Sequence, residues 1–264
     1  MYQVIENSSD LKARFAGWRG DETLVRYPWV ENTHTPLTPF RRALPLINLG
    51  IVSSAGAYID GMEPFDLASK DGDLNYREIP VEVEASDLRY AAKGYDPTAV
   101  QQDRNCQIPI DRLIEYRSSA VIGDINSCWW SISPYIPNAI RVAEELGPQI
   151  AERMKRYDVQ TALLIPASRL CHQTIGIIAR VIEETGIPTM TISVAPDITD
   201  RVRPPRTGYY NGKLGQVAGQ ANFPQHQMRI LDECLRTAET FDQPGSRKLW
   251  VELETQVEAA RGER

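Results

Sequence analysis

The sequence predicts an α/β protein with a mostly parallel central sheet flanked by helices, of the doubly wound type. Residues 45–53 and 161–166 are near-continuous apolar runs, typical of strands that are covered on both faces. The second run is followed by a helical pattern from about Arg169, a stop at Gly186-Ile187-Pro188, and another apolar strand from Thr189. This is a βαβ unit, for which parallel strands and a right-handed crossover are the default.

Composition narrows the class of protein. The chain has 264 residues and a net charge of −6, and the charge is spread without a block of Lys or Arg, so nucleic acid and anionic membranes are not the expected partners. The sequence contains no run of about 18 apolar residues, the length that would predict a membrane-spanning helix. The N-terminus has neither a signal-peptide nor a transit-peptide pattern. We therefore expect a cytoplasmic protein whose partner is a small molecule.

The first part of the chain predicts an arm and then the sheet. Residues 1–38 are expected to form an N-terminal arm, with a short helix over residues 7–17 and a Pro- and Thr-rich segment after it. The α/β domain is placed at residues 39–242. Residues 74–83 alternate apolar and polar side chains and predict an edge strand that Pro80 interrupts.

The rest of the domain continues the alternation of strands and helices. We predict a strand at residues 120–125, a loop carrying Cys128-Trp129-Trp130, an amphipathic helix at residues 138–157 and a further helix at residues 224–241. The tryptophan pair can line a pocket, although packing is the commoner role of buried aromatic residues.

An additional segment, residues 243–264, is predicted to follow the domain. Its main feature is an amphipathic helix over residues 247–261, after the turn Gln243-Pro244-Gly245. Such a helix either packs on the domain or binds a partner.

Residues 93–111 form a turn-rich loop that is dense in polar side chains, among them Asp103, Asn105 and Cys106. Long loops inside compact domains are usually functional. The alternative is an Asx-rich surface turn in which Asp111 caps the helix at residues 112–118. Both interpretations stay open at this level.

The four cysteines, Cys106, Cys128, Cys171 and Cys234, are widely spaced and form no C-x-x-C pair. This spacing predicts neither a zinc site nor a disulfide framework, and we expect no metal. Each thiol has to be judged by its own surroundings, since a free cysteine is most often a small buried apolar residue.

The turn after the strand at residues 161–166 carries Ser168, Cys171 and His172, and ligands bind at the carboxyl ends of strands in open α/β sheets. If Ser168 is the N-cap, its hydroxyl accepts from the amide of Cys171, and the helix dipole favours a thiolate there. Neighbours in a helix do not face each other, so Cys171 and His172 are not a dyad by spacing alone.

Core packing explains Cys171 equally well. The residue lies in register with Ile175, Ile178 and Ile182, the apolar stripe of the same helix. The helix pattern therefore leaves a reactive thiol and a buried structural thiol as alternatives.

Two further segments offer groups for a ligand. Ser54 lies in a turn of small residues, 53–57, which lacks the G-x-G-x-x-G spacing of a dinucleotide site. Arg206 lies in the Pro-, Gly- and Arg-rich segment 195–223, and an arginine can hold a carboxylate through two hydrogen bonds, although surface arginines are common.

Several blocks of sequence, in order along residues 39–240, carry a family resemblance. They are IVSSAG, GDLNYREIP, GYD followed by QDRNCQIPIDRL, ASRLCHQTIGIIARVIEETGIPT, PPR, and LGQVAGQ. With these blocks the chain resembles the B-subunit family of the glycine, sarcosine, betaine and D-proline reductases, and is most similar to its D-proline branch.

The resemblance implies a reductive cleavage of a C–N bond by a selenol or thiol, while a pyruvoyl group on a partner subunit activates the substrate amine. The cysteine that resolves the oxidised selenol or thiol in that family corresponds by position to Cys171. The basic residue after it corresponds to His172, and a loop cysteine corresponds to Cys106. The selenocysteine position falls on Ser168, whose hydroxyl cannot perform selenol redox chemistry.

The leading hypothesis is a thiol-dependent oxidoreductase in which Cys171 acts on a small amino-acid-like substrate without a selenol. Cys106 would be the second thiol, His172 an acid/base or thiolate-stabilising group, and an external dithiol the electron donor; no cofactor is expected in this chain itself. The residues expected to contact substrate are Ser54, Asp103, Asn105, Gln173 and Arg206.

Two alternatives remain open beside it. The chain can be a non-catalytic or regulatory subunit, in contact with a partner subunit or with further copies of itself. It can also be a non-redox thiol lyase or isomerase that uses Cys106 and Cys171 and consumes no dithiol.

Overall fold

A computed structural model describes residues 3–251 of the chain. The helices are α1 Ser8–Gly17, α2 Thr98–Gln102, α3 Ile110–Ser118, α4 Ala139–Arg141, α5 Gly147–Arg156, α6 Arg169–Glu184, α7 Pro196–Val202 and α8 Pro224–Glu239. The strands are β1 Asn48–Ser53, β2 Ala57–Ile59, β3 Arg77–Pro80, β4 Leu88–Tyr90, β5 Asp124–Ile125, β6 Cys128–Ser131, β7 Thr161–Ile165, β8 Thr189–Ser193, β9 Arg206–Tyr209 and β10 Gly245–Lys248.

The central sheet has the order β10-β9-β8-β7-β1-β6-β3, and the short β5 also pairs with β1. Neighbouring strands are parallel except for β3, which runs antiparallel to β6. This confirms the predicted α/β class, and β3 is the edge strand expected within residues 74–83. Pro80 is exposed in β3, as a proline on an edge should be.

The chain leaves β1 and β7 in opposite directions. From β1 it continues to β3, β5 and β6 on one side of the sheet, whereas from β7 it continues to β8, β9 and β10 on the other side. Adjacent parallel strands with diverging connections leave a crevice at their carboxyl ends, and this is the usual ligand position of the fold class. The crevice here lies between the ends of β1 and β7.

Both faces of the sheet are covered, which explains the near-continuous apolar runs. In β7, Leu163 and Ile165 belong to the core that includes α3 and α8, whereas Ala162 and Leu164 belong to the core that includes α5 and α6. Successive side chains of a strand point to opposite faces. A strand between two helix layers is therefore mostly apolar along its length, and the polar side chain of β7, Thr161, is itself buried.

The region between α3 and β6 differs from the prediction. Ala120 has a left-handed φ of 56° and closes α3 through its amide, so the expected strand at residues 120–125 shrinks to β5. The expected loop at Cys128-Trp129-Trp130 is instead strand β6. Trp129 and Trp130 pack on opposite faces of the sheet, so packing, not a pocket, is the role of this pair.

The predicted helix at residues 138–157 is present but contains a π turn at Val142–Leu146. Asn138 caps it by accepting from the amide of Arg141 at 3.2 Å. Pro148 follows the π turn, and a proline has no N–H for the carbonyl four residues earlier. A wider turn at this place lets the helix continue past the proline.

The first and last segments of the described residues both contact the sheet domain. The N-terminal arm packs Ile5, Leu11 and Val30 against the core under α5 and α6. At the other end, Arg247 and Lys248 belong to β10 and pair in parallel with β9, so the helix predicted from Arg247 is wrong at these residues. The remainder of that prediction, from residue 252, lies outside the described residues.

None of the helices between residues 3 and 251 has the length and apolar composition needed to cross a bilayer.

Candidate functional site

The turn between β7 and α6 is built by local sequence signals. Pro166 ends the strand, and Ser168 has extended backbone and caps α6 by accepting from the amide of Cys171 at 3.2 Å. This confirms the predicted N-cap. The cap places the Ser168 hydroxyl and the Cys171 thiol on the same side of the first helical turn, in the crevice between the ends of β1 and β7.

The thiol of Cys171 is enclosed by oxygen atoms. Its Sγ lies 3.1 Å from the hydroxyl of Ser168, 3.2 Å from the carbonyl of Pro134 and 3.7 Å from the carbonyl of Ser54. The thiol hydrogen can be donated to either carbonyl. Cys171 is only 1% exposed and Ser168 only 2%, so this serine–cysteine pair is closed off from solvent.

Ser54 joins the ends of the two central strands. Its hydroxyl accepts from the amide of Ala167 at 3.0 Å, and its own amide donates to the carbonyl of Ile165 at 3.2 Å. Since its carbonyl also faces the Cys171 thiol, the turn of small residues forms one wall of the site. The structure thus brings Ser54, Ser168 and Cys171 together.

Cys106 is connected to this turn through one residue, Gly215. The thiol of Cys106 donates to the carbonyl of Gly215 at 3.4 Å, and the amide of Gly215 donates to the carbonyl of Ala167 at 2.9 Å. Burial raises the pKa of Cys106 to about 12, and the nearby negative charge of Asp103 contributes in the same direction. Cys106 is a protonated thiol next to the site at neutral pH.

Tyr95 is a part of the site that the sequence reasoning did not single out. Its hydroxyl donates to the carbonyl of Ala55 at 2.5 Å, and its ring packs against Gly215, where an added β-carbon would lie 2.8 Å from the ring. Burial raises the pKa of Tyr95, and the charges of Cys171 and Cys106 would add to that rise. The ring therefore lies on the residue that connects Cys106 to the turn. Its signal in the sequence is the GYD triplet in the long loop.

His172 is fixed away from the thiol by the backbone. Its Nδ1–H donates to the carbonyl of Ser168 at 2.7 Å, and its Nε2 accepts from the amide of Val194 at 3.1 Å. Burial lowers the pKa of His172 to about 4, so the ring is neutral. With both nitrogens bonded to backbone groups, the expected acid/base or thiolate-stabilising contact with Cys171 is not formed.

Asp103 and Asn105 hold the long loop together and do not face the thiols with free groups. The carboxylate of Asp103 accepts from Asn105, from the amide of Asn222 and from the side chain of Gln227. Burial raises the pKa of Asp103, but these hydrogen bonds outweigh it and lower the pKa below its ordinary value. Asn105 also bonds Asp111 through donor and acceptor atoms.

Gln173 connects α6 to the N-terminal arm. Its side-chain oxygen accepts from the amide of Val30 at 2.8 Å, and its nitrogen donates to the hydroxyl of Tyr27 at 2.6 Å. Tyr27 in turn donates to the carbonyl of Pro137 at 2.6 Å. The polar atoms of Gln173 thus bond the arm, and its contact with a substrate stays a prediction.

Arg206 lies at the start of β9, at the opposite edge of the sheet from the carboxyl ends of β1 and β7. Fully buried, it pairs with Glu183 near the end of α6 and donates to the carbonyl of Thr38 in the arm. The expectation that Arg206 holds a substrate carboxylate beside Cys171 is therefore wrong in its geometry.

Within residues 3–251, no group of three His, Cys, Asp or Glu side chains has an arrangement that could hold a metal ion. The fold and the site together define an α/β protein of the doubly wound class with a capped, buried thiol at its topological switch point and a second buried thiol connected to the same turn through Gly215.

Comparison with known proteins gives the family. Residues 68–167 match the family of glycine/sarcosine/betaine reductase selenoprotein B, a stretch that contains Cys106 and ends one residue before Ser168. The chain is 30% identical over 199 residues to the D-proline reductase subunit gamma of Acetoanaerobium sticklandii. The aligned stretch covers 75% of this chain and 81% of that protein. This chain belongs to the selenoprotein B family of glycine, sarcosine, betaine and D-proline reductases.

More distant members of the family are longer than this chain. The glycine reductase complex component B subunit gamma of Symbiobacterium thermophilum is 25% identical over 69% of this chain, and that of Carboxydothermus hydrogenoformans is 23% identical over 70%. In both cases the match spans 42% of the relative. No solved structure gives a significant match.

Proposed function

We propose that this chain is the thiol-bearing subunit of a reductase-type complex that acts on a small amino-acid-like substrate, with Cys171 as its reacting thiol. The observation that carries the proposal is the position of the Cys171 Sγ, 3.1 Å from the Ser168 hydroxyl at the switch point of the sheet. The resemblance assigns the reacting pair of the family to these two positions.

Because Ser168 stands at the position that the resemblance assigns to the selenol, the proposed reaction has to use thiols in its place. Reductive cleavage of a C–N bond takes up two electrons and two protons, and oxidation of two thiols to a disulfide releases the same number. Cys106, joined to the turn through Gly215, is the second thiol of this scheme. An external dithiol would then reduce the Cys106–Cys171 disulfide and complete the cycle.

Partner subunits belong to the proposal because the relatives are named as subunits. One is a subunit gamma of D-proline reductase, and two are subunits of a glycine reductase complex component. The pyruvoyl carbonyl that the resemblance implies would be contributed by such a partner, and this chain would contribute the thiol. Because Cys171 is 1% exposed, a group on a partner subunit reaches its thiol only when the residues that enclose the thiol move.

The other members of the site have supporting roles in this scheme. Ser168 fixes the first turn of α6 and hydrogen-bonds the thiol, and Ser54 aligns the ends of β1 and β7. His172 is a positioning residue, because it ties the carbonyl of Ser168 to the amide of Val194. Asp103 and Asn105 stabilise the long loop that carries Cys106, whereas Gln173 and Arg206 hold the N-terminal arm.

The test is dithiol-dependent turnover by the chain assembled with its partner subunits, with D-proline as the first substrate. We expect Cys171→Ser to abolish turnover and Cys106→Ser to reduce it strongly, whereas the control Cys234→Ser, at a buried position in α8, retains it. Ser168→Cys should form a disulfide with Cys171 on oxidation, detected by mass spectrometry. Full activity of Cys171→Ser would exclude a reacting thiol at this position.

A non-catalytic subunit is the second candidate, and a specific observation favours it. Ser168 replaces the selenol, and the Cys171 thiol is sealed and hydrogen-bonded to two backbone carbonyls. In that case the complex retains its turnover with Cys171→Ser but loses it when this chain is omitted. The same assay therefore separates the two candidates.

A further inference from the structure

The closed site has a thin cover. Ser168 and Cys171 are enclosed by strand ends and by α6, but on one side Ser168 lies beneath a loop of four residues, Lys93 to Asp96, which we call the cover loop. Within it, Gly94 and Asp96 are exposed and Tyr95 is half-buried. A β-carbon added at Gly94 would lie 3.2 Å from the Cβ of Ser168, so one layer of backbone separates the serine from solvent.

Side-chain contacts hold the cover loop at two points. Lys93 forms an ion pair with Glu22 at 2.9 Å, donates to the carbonyl of Leu67 at 3.1 Å, and lies 3.9 Å from the ring centre of Tyr135. On the other side of Gly94, Tyr95 donates to the carbonyl of Ala55 at 2.5 Å. The backbone between them includes a glycine with a left-handed φ of 79°, which gives this point conformational freedom.

The ring of Tyr95 also contacts the residue that connects the two thiol-bearing segments. It packs on Gly215, whose carbonyl accepts from Cys106 and whose amide donates to the turn that carries Cys171. The phenol ring therefore packs on the peptide that links the Cys106 thiol to the turn carrying Cys171.

We propose that Tyr95 is the gate of the Cys171 site, and that breaking its hydrogen bond to the Ala55 carbonyl lets the cover loop swing out to admit a small amino-acid-like molecule or a dithiol. The role of the gate in turnover rests on the proposed function; the closed state and its latch do not. Loops open locally at a lower free energy than strands and helices, so this opening does not require unfolding of the domain.

The gate is tested by native-state alkylation of the assembled protein with iodoacetamide. Each cysteine lies in a different tryptic peptide, for example residues 105–112, 170–180 and 230–236 for Cys106, Cys171 and Cys234, so each rate is measured separately by mass spectrometry. Tyr95→Phe loses the latch but keeps the ring, and we expect Cys171 to react about fivefold to tenfold faster, the effect of one lost hydrogen bond. Tyr95→Ala should increase the rates of both Cys171 and Cys106 further.

Two controls separate gating from general loosening. Tyr116→Phe removes an equivalent bond, from a tyrosine to the carbonyl of Met228, and should leave the rate of Cys171 unchanged. Cys234 should stay at its wild-type rate in every variant. An unchanged rate of Cys171 in both Tyr95 variants overturns the proposal, and so does an equal rise at Cys234.

The gate and the proposed function fail in different ways. If the rate of Cys171 rises in Tyr95→Phe while Cys171→Ser retains turnover, the gate exists but the thiol is not the reacting group. If Cys171→Ser is inactive and neither Tyr95 variant changes the rate, the thiol reacts but another segment admits the substrate, and the gate is wrong.

Discussion

At the scale of single residues, the chemistry of the turn depends on what Ser168 can and cannot do. As a hydroxyl it is a good N-cap and a hydrogen-bond partner for Cys171, but its pKa is far too high for it to replace a selenol as nucleophile. Of the two side chains, the thiol of Cys171 is the one whose chemical type can undergo thiol redox chemistry. The proposed reaction therefore depends on that thiol.

The buried His172 is expected to make the stability of the protein depend on pH. Burial lowers its pKa from 6.5 to about 4, so between these values the unfolded chain binds a proton that the folded chain does not. The free energy of unfolding should fall as the pH drops through this window, by about 1.4 kcal/mol per pH unit and roughly 3 kcal/mol in all. Urea unfolding of the wild type and His172→Gln at several pH values measures this contribution.

His172→Gln is the control for the pH dependence of stability that the other titrating groups contribute. Gln retains an acceptor for the amide of Val194 but does not titrate, so the stability difference between wild type and His172→Gln should shrink as the pH falls from 6.5 towards 4. A difference that stays constant across this range would mean that His172 is protonated in the folded protein, and its positioning role would have to be abandoned.

At the scale of secondary-structure elements, the packing of α5 on α6 depends on a glycine. A β-carbon added at Gly147 would lie 2.9 Å from the Cγ2 of Val181 and 3.1 Å from the carbonyl of Val142. Gly147→Ala should lower the free energy of unfolding by about 1–3 kcal/mol through overpacking, although alanine is the better helix former by about 1 kcal/mol. Chemical denaturation measures the change.

A double variant and a matched glycine check the cause. In the Val181→Ala background the clash is relieved, so adding Gly147→Ala should cost at least about 1 kcal/mol less than it does alone. Gly17→Ala, at the end of α1 with no atom within 4 Å of the new carbon, should be neutral or stabilising. If Gly147→Ala behaves like Gly17→Ala, α5 and α6 are not in the close contact described.

Elements were predictable where their signals are local. The strand at β7, the cap at Ser168 and the helix α6 follow from an apolar run, a proline and an N-cap residue within a few positions. The strands β6 and β10 were missed, because Trp129 and Trp130 become a strand by pairing with β1 and β3, and Arg247 and Lys248 by pairing with β9. A strand needs a partner, and that partner is distant in sequence.

At the scale of the whole molecule, the buried ion pair Arg206–Glu183 connects the N-terminal arm, helix α6 and the sheet. Glu183 in α6 accepts from the amides of Thr38 in the arm and Thr189 in β8, and Arg206 in β9 donates to both Glu183 and Thr38. Arg206→Met leaves a buried carboxylate without its counter-charge and should lower the free energy of unfolding by about 3–5 kcal/mol. Urea unfolding measures this loss.

Restoring charge balance should recover most of that stability. Glu183→Gln added to Arg206→Met removes the unpaired charge while one acceptor oxygen remains for the amides, so the double variant should be clearly more stable than Arg206→Met alone. Neither variant should change the alkylation rate of Cys171 in folded protein. A variant that keeps its stability but loses substrate binding would instead revive the prediction that Arg206 holds a substrate carboxylate.

The sequence by itself determined the fold class, the cap of α6 and the place of the turn, because apolar periodicity, Pro166 and Ser168 act over a few neighbouring residues. The tertiary structure decided which atoms surround the thiol: the carbonyls of Ser54 and Pro134, the ring of Tyr95 and the peptide of Gly215 come from segments far apart in the chain. It also decided that Gln173 and Arg206 stabilise the arm. Contacts of this kind depend on how helices and loops close over the sheet, and this arrangement is set by burial and hydrogen bonding across the whole domain.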